Sequence, residues 1–424
     1  MRTEIQKKDN QNILLNRILI SISLLLIVRI GTFVPVPGIE QEYLSNFVQN
    51  SAIGGFLNTF SSGGKFVIGL FTLNIFPYIN SSILMQLLVS VFPNLQKLQK
   101  EEGNAGRRKI TQITRYISFG FALTQSITIA LFLKTILFNW NVLLALQIVL
   151  SLTTGAMIVM WFSELITEYG IGNGASLLIS TNIISNFPKF AQTLVQETND
   201  NLNFSSILLI GIIFFIAICG ITLLQEGARV IPLVSSKQLS QNEKNSYNIL
   251  AGKNTNYVPL RLNQAGVMPI IFTTAILVIP NYLISIGFLP QLNIPFSKYL
   301  YGLSYFTLIL GFSYFYSKIV LDPKDISDQL RKLAVTVPGI RPGKCTTYYF
   351  SQILKRTTFI GAILLAIIAA LPNIIETVLH ISNLRGLGTT SLLILVGVTV
   401  ETRREIRDVI LSNIYTNMNN SLNK

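Results

Sequence analysis

Ten apolar runs constrain this chain more than any other feature. They lie at 14–34, 70–92, 111–133, 142–162, 174–187, 206–224, 266–287, 299–320, 357–375 and 388–400. About 20 mostly apolar residues coiled as a helix cross the hydrocarbon of a bilayer. In that medium every backbone N–H and C=O must find its partner inside the protein, so each run is read as a membrane helix. Two of them, 174–187 and 388–400, are short and need flanking residues or surrounding protein to complete the crossing. Half of the 424 residues are hydrophobic and only 12% are charged, a membrane composition rather than that of a soluble domain.

Charge then orients the runs. Of 33 Lys and Arg, four precede or open the first run, six lie in 93–115, five in 225–264, eight in 318–356 and four in the tail. With alternating spans, all of these fall on one side. The exceptions are Arg29, Lys65, Lys134, Lys189, Lys298 and Arg385. Cationic loops are retained on the cytosolic side, so both termini are expected in the cytosol-equivalent compartment, as an even number of spans requires. The net charge of +14 is therefore mostly topology. Five spans lie before about residue 190 and five after it, giving halves 1–190 and 191–424. An odd number per half reverses the sense of insertion, the arithmetic of an inverted repeat. Cys219 and Cys345 suggest no disulfide framework. The opening MRTEIQKKDNQNILLN is polar and carries acids, and it does not read as a cleavable signal or transit peptide.

Two loops on the basic side are long. Loop 225–264 has β-branched stretches and turn residues, and a projecting hairpin is expected there. Loop 321–356 should hold its own helix. Asp322 suits the N-cap, Pro323 the first helical position, and Asp325 and Asp328 the positive end of the helix dipole. The stretch VPGIRPGKCT then makes a stiff Pro/Gly turn that presents Arg341 and Lys344.

Most chemistry fails on spacing. GIRPGKCT is no phosphate loop, because Gly339 and Gly343 enclose three residues rather than four and Cys345 stands where Ser or Thr would hold magnesium. GIGNGAS at 170–176 follows no strand and lacks the third glycine of a dinucleotide motif, so a packed, bent start to a helix is expected. Ser176 has no histidine base near it in sequence, and His380 is the only histidine. No catalytic residue, metal site or cofactor is expected. A coupled transporter keeps ionisable groups at mid-membrane. Here Arg29, Glu164 and Glu376 sit at span ends, and the mid-span stretches PYINSSI (77–83), TTGAM (153–157) and FTTA (272–275) are only mildly polar. A pathway lined by weakly interacting groups fits best, with a secondary transporter and a membrane enzyme as alternatives. NTFSSGGKFVIGL (58–70) is too short and soft to span, and alone it reads as a loop with a glycine turn.

Five stretches then join up in order: RIGTFVPVPGI (29–39), LNIFPYINSSILMQLL (73–88), EYGIGNGASLLI (168–179), VPLRLNQAGVMPIIF (258–272) and DPKDISDQLRKLAVTVPGIRPGK (322–344). Together, over about 14–402, they resemble the SecY family, the channel subunit of bacterial and plastid protein translocons. The resemblance implies an all-α polytopic membrane protein, with ten transmembrane helices in two inverted five-helix halves around a central pore. It implies a pore ring of six isoleucines, Ile79, Ile83, Ile179, Ile183, Ile271 and Ile394. A short plug at about 55–65 would carry Gly55, Phe56, Asn58, Phe60, Gly63 and Gly64. A lateral gate would use Thr124 and Gln125 on one side and Asn263, Gln264 and Thr274 on the other. Arg229, Arg341 and Lys344 would dock partners. The implied partners are a SecE-like subunit, a SecG-like subunit, the SecA motor ATPase, the ribosome through its RNA, signal sequences and nascent chains, and membrane lipid. Frequent Ile and Asn and short loops suggest a plastid-encoded protein of the thylakoid membrane, with a bacterial plasma membrane as the alternative.

Overall fold

The structure is a computed structural model of the chain. It describes residues 2–37, 69–101, 103–134, 140–200, 204–235, 256–264, 266, 268–270, 272–273, 294–379 and 389–422. The elements in chain order are α1 (Arg2–Gly31), α2 (Phe76–Val91), α3 (Pro93–Glu101), α4 (Gly103–Lys134), α5 (Val142–Tyr169), α6 (Gly174–Asp200), α7 (Phe204–Glu226), β1 (Ala228–Ser235), β2 (Asn256–Arg261), α8 (Ile294–Val320), α9 (Pro323–Lys332), β3 (Val335–Thr336), α10 (Lys344–Leu379) and α11 (Thr389–Leu422). They form two units, Met1–Gln196 with Val398–Lys424, and Glu197–Gly397. Among the described residues, four stretches are long and apolar enough to cross a membrane: Leu14–Gly31, Val142–Tyr169, Gly302–Lys332 and Lys344–Ala370. Phe76–Val91, Gly174–Ser185 and Phe214–Glu226 are shorter apolar helices. The chain is a multi-pass, predominantly helical membrane protein.

Helix ends depart from the apolar runs for local reasons. Leu70–Ile75 is turn rather than helix. Asn74 takes a left-handed φ of 48°, its side-chain Oδ1 accepts from Ile75 N at 2.8 Å, and α2 starts behind it with Pro77 in its first turn. Conversely, α10 begins at Lys344 and α11 continues to Leu422, well past their apolar runs. Nothing in those flanks breaks a helix, so the backbone bonding propagates out of the hydrocarbon.

In the first unit α5 is the spine. One face buries Ile148, Leu152, Gly155, Ala156, Val159 and Ile166, while Val142, Leu143, Leu146, Leu150 and Trp161 are exposed on the other. Both faces are apolar, as expected of a helix packed on protein on one side and bathed in lipid on the other. Its buried face meets α4 through Ala122, Ala130 and Leu133, and Ser126, also buried, continues the small stripe at a spacing of four. Small residues at that spacing let membrane helices approach closely. The chain leaving α1 returns beside itself, with Pro35 bridged antiparallel to Gly69 and Leu70 N donating to Val34 O at 2.8 Å. Gly155 lies directly under the Leu70 carbonyl, and a Cβ there would overlap it.

The second unit packs α10 against α7 and α8. Gly220 of α7 meets the Ile368 side chain, and the Ser317 and Thr358 hydroxyls bond at 2.8 Å between α8 and α10. On α10 also rests a three-stranded antiparallel sheet in the order β2-β1-β3. The hairpin expected in 225–264 is there, with Arg229 opposite Leu260 and Ile231 opposite Val258. Leu262 N donates to Gly227 O at 2.9 Å, which marks that pair, and every second pair along the ladder, as hydrogen-bonded. Pro232 and Pro259 fall on the alternate pairs, opposite Tyr257 and Val230. Their missing N–H groups therefore face away from the β1–β2 ladder, where a proline is tolerated and blunts the edge. The third strand, β3, comes from the other basic loop and was not expected. It pairs Val335 with Ser235 and Thr336 with Val234.

Candidate functional site

The expected ring residues are placed by three helices. Ile79 and Ile83 lie one turn apart on α2 and are buried. Ile179 and Ile183 form the equivalent pair on α6 and are half-buried. Ile394, on α11, is half-buried as well. Ile271 lies outside the described residues, between buried Ile270 and Phe272. An i, i+4 pair shares one helix face, so each pair presents a single branched apolar surface. The expected plug residues Gly55, Phe56, Asn58, Phe60, Gly63 and Gly64 lie outside the described residues.

The expected gate residues make local bonds. Thr124 is exposed on α4, and its hydroxyl donates to Phe121 O at 3.0 Å. Gln125 beside it is half-buried. Asn263 Nδ2 donates to Gly266 O at 2.8 Å, and Gln264 Nε2 to Arg261 O at 3.0 Å, so both amides brace the turn after β2. Thr274 lies outside the described residues, and the preceding Thr273 is buried with its hydroxyl on Pro269 O at 2.8 Å.

The basic residues Arg229, Arg341 and Lys344 are all exposed. A core common to both long loops carries them. Ile231, Leu233 and Leu260 of the hairpin pack with Leu330 of α9, Val337, and Phe350, Ile353 and Leu354 of α10. α9 is capped as expected, with the Asp322 carboxylate accepting from Lys324 N at 3.0 Å. Ahead of α10, Gly339 (φ 79°) and Gly343 (φ 106°) supply left-handed backbone. Ser327 Oγ donates to Gly343 O at 3.1 Å and Thr346 Oγ1 to Arg341 O at 2.9 Å, so the cationic turn is pinned at two carbonyls. These bonds fix the backbone from which the exposed Arg341 and Lys344 side chains project.

The GIGNG stretch has a purely architectural part. Ile171 N donates to Ser21 Oγ of α1 at 2.9 Å, and Ser21 Oγ in turn donates to Arg17 O at 3.0 Å. Gly170 allows that approach, because a Cβ there would collide with Ser21 Oγ. Gly172 has φ 85° and sits by Thr402 of α11. Gly174 packs on the Ser163 carbonyl and donates its N–H to Thr167 Oγ1 at 2.9 Å, while Asn173 Oδ1 accepts from Ala175 N at 3.0 Å. The bent, packed helix start read from the sequence is what stands there. Ser21 was not foreseen, since a lone serine in an apolar run carries no signal. A second feature missed was an ion pair between α4 and α5. Arg115 Nε donates to Glu164 Oε1 at 2.9 Å, and Arg115 Nη2 lies 2.8 Å from Glu164 Oε2.

Known proteins match this chain over nearly its whole length. A family profile described as SecY matches residues 69–403. A protein of Trieres chinensis described as protein translocase subunit SecY is 52% identical, covering 97% of this chain and 99% of that one. The Guillardia theta protein of the same description is 45% identical over 98% and 99%. That of Synechococcus elongatus is 43% identical over 95% and 93%. Among solved structures, one described as a protein conducting channel superposes with a TM-score of 0.65 at 17% identity, covering 95% of this chain and 94% of that one. Sec61 in the canine ribosome–channel complex gives a TM-score of 0.60 at 15% identity, over 95% and 94%. At those identities the structures speak for the fold, while the profile and the sequence relatives speak for the family. This chain belongs to the SecY family.

Proposed function

We propose that the chain is the pore-forming subunit of a Sec translocase, through which unfolded precursor proteins cross the membrane and apolar segments leave sideways into lipid. The near full-length match to SecY proteins carries this reading. The six isoleucines form the constriction. Branched apolar side chains exclude water from an empty pore and yield around a passing chain. The 55–65 segment is the plug, and its glycines and polar residues keep it easy to displace. Thr124 and Gln125 line one side of the lateral gate, and Asn263, Gln264 and Thr274 line the other. Ten spans in two inverted halves complete the architecture. The subunit performs no covalent chemistry, and the work comes from partners. The exposed cations Arg229, Arg341 and Lys344 meet the ribosome or a SecA-type motor, and SecE-like and SecG-like helices complete the complex. The relatives from algae and cyanobacteria support a plastid membrane protein, which we assign to the thylakoid, and the cationic loops support both termini on its stromal side.

Disulfide trapping tests the pore. A cysteine replacing Ile83, in a background without Cys219 and Cys345, should crosslink to a cysteine in a stalled precursor when the signal sequence is functional. An assembled complex with no crosslink at Ile83, Ile183 or Ile394 would make the isoleucines core residues and reopen the transporter reading.

A further inference from the structure

We propose that Phe272, packed against Phe312 and Tyr316 of α8, is a positioning residue that sets the place of Ile271 in the pore ring. The proposal rests on the channel reading above.

The ring asks more of this span than of its neighbours. α2 and α6 each carry two isoleucines a turn apart, Ile79 with Ile83 and Ile179 with Ile183. The span that holds Ile271 gives one. A slip of one turn there would put Val267 or Ala275, both smaller, in its place. The local backbone is poorly suited to prevent such a slip. Gly266 has φ 62°, and Pro269 brings no N–H to the start of the helix. Thr273 Oγ1 donates to Pro269 O at 2.8 Å, a bond inside the segment that does not place it against other helices.

Contacts with α8 and α10 do place it. Phe272 is 7% exposed. Its ring stacks on Phe312, with centroids 5.4 Å apart and planes 18° from parallel, and meets Tyr316 at 6.4 Å and 54°. Phe312 and Tyr316 stand one turn apart on α8 and share one face. Flat rings in contact prefer particular offsets and angles, so they specify a position where aliphatic packing specifies only a distance. The register of that face is fixed in turn. Ser317, next to Tyr316, bonds Thr358 of α10 at 2.8 Å. Three residues beyond Thr358, Gly361 leaves room for the Leu262 carbonyl, where a Cβ would collide. The described residues of 262–273 are thus tied to α10 at their start and to α8 at their end, and α8 and α10 are tied to each other. Ile270 and Thr273, on either side of Ile271 and Phe272, are buried.

The test uses the complete translocon, with a cysteine replacing Ile271 or, for comparison, Ile83, in the background without Cys219 and Cys345. One readout is the crosslink to a cysteine in a stalled precursor. The other, taken without precursor, is the rate of labelling by a small charged maleimide. Phe272→Leu and Phe312→Leu should each lower the crosslink at 271 and shift its labelling rate by about 2- to 10-fold, the scale of one aromatic pair. Both readouts at 83 should stay within about 2-fold of the parent. The double variant should be no worse than the stronger single one, as expected of two rings acting through one contact. Phe312→Tyr, which keeps the ring, should match the parent. Unchanged values at 271 overturn the proposal, and so do equal changes at 271 and 83, which mark a general loosening of the protein. If Phe272→Leu does not assemble, Phe312→Leu against Phe312→Tyr decides the matter: equal values at 271 overturn the proposal. A parent that crosslinks at neither 271 nor 83 sinks the channel reading, and the labelling rates then judge the positioning role by themselves.

Discussion

At the scale of single residues, the informative positions are those where a small or polar side chain is the only one that fits. Gly155 faces the Leu70 carbonyl with no room for a methyl group, and the neighbour is backbone, which cannot rotate away. Gly155→Ala should therefore lower stability by about 1–3 kcal/mol, the usual range for overpacking, seen as a lower Tm of the purified complex. Gly120→Ala on α4 is the matched control. Nothing lies within 4 Å of its missing Cβ, so the change should be neutral or slightly stabilising. Ser21→Ala removes the acceptor for Ile171 N and leaves a buried donor without its partner. A loss of about 1–3 kcal/mol is expected, again read from Tm, whereas Gly170→Ala should fail by collision at the same spot. The sequence showed the glycines as a motif. It did not show Ser21, because the bond spans 150 residues and neither partner is unusual in its own neighbourhood.

At the scale of elements, local chemistry was legible where it closes on itself within a few residues. The N-cap at Asp322, the proline behind it and the cations in the last turn specify α9 without reference to anything distant. Asp322→Ala should cost about 1 kcal/mol locally and Asp322→Asn much less, measured as faster amide hydrogen exchange across 323–332. The hairpin of β1 and β2 was legible for a different reason, its β-branched stretches and turn residues. β3 was not, since two residues carry no periodicity and its partner strand lies some hundred positions earlier. Nor did the apolar runs reveal that α10 and α11 continue far beyond them, because hydropathy marks the hydrocarbon and not the end of a helix.

At the scale of the whole molecule, the described parts of the two basic loops share one apolar core, so their cations should contribute together to docking. Arg341→Glu combined with Lys344→Glu should weaken binding of ribosomes to the reconstituted complex. The log–log salt dependence should flatten by about one for each phosphate that is no longer neutralised. An unchanged salt slope would assign these residues to topology alone. The sequence by itself determined the membrane class, most of the helices among the described residues, and the five ordered stretches that carry the family. All of these follow from hydropathy, charge and short spacings, which are properties of neighbours along the chain. Only the tertiary structure decided that Arg115 meets Glu164 forty-nine residues away, that Leu70 lies on Gly155, and that both loops close over Phe350. Those pairings depend on which faces meet once the helices are packed. In a chain whose helices are apolar all round, the sequence pattern does not distinguish a face turned to lipid from a face turned to protein.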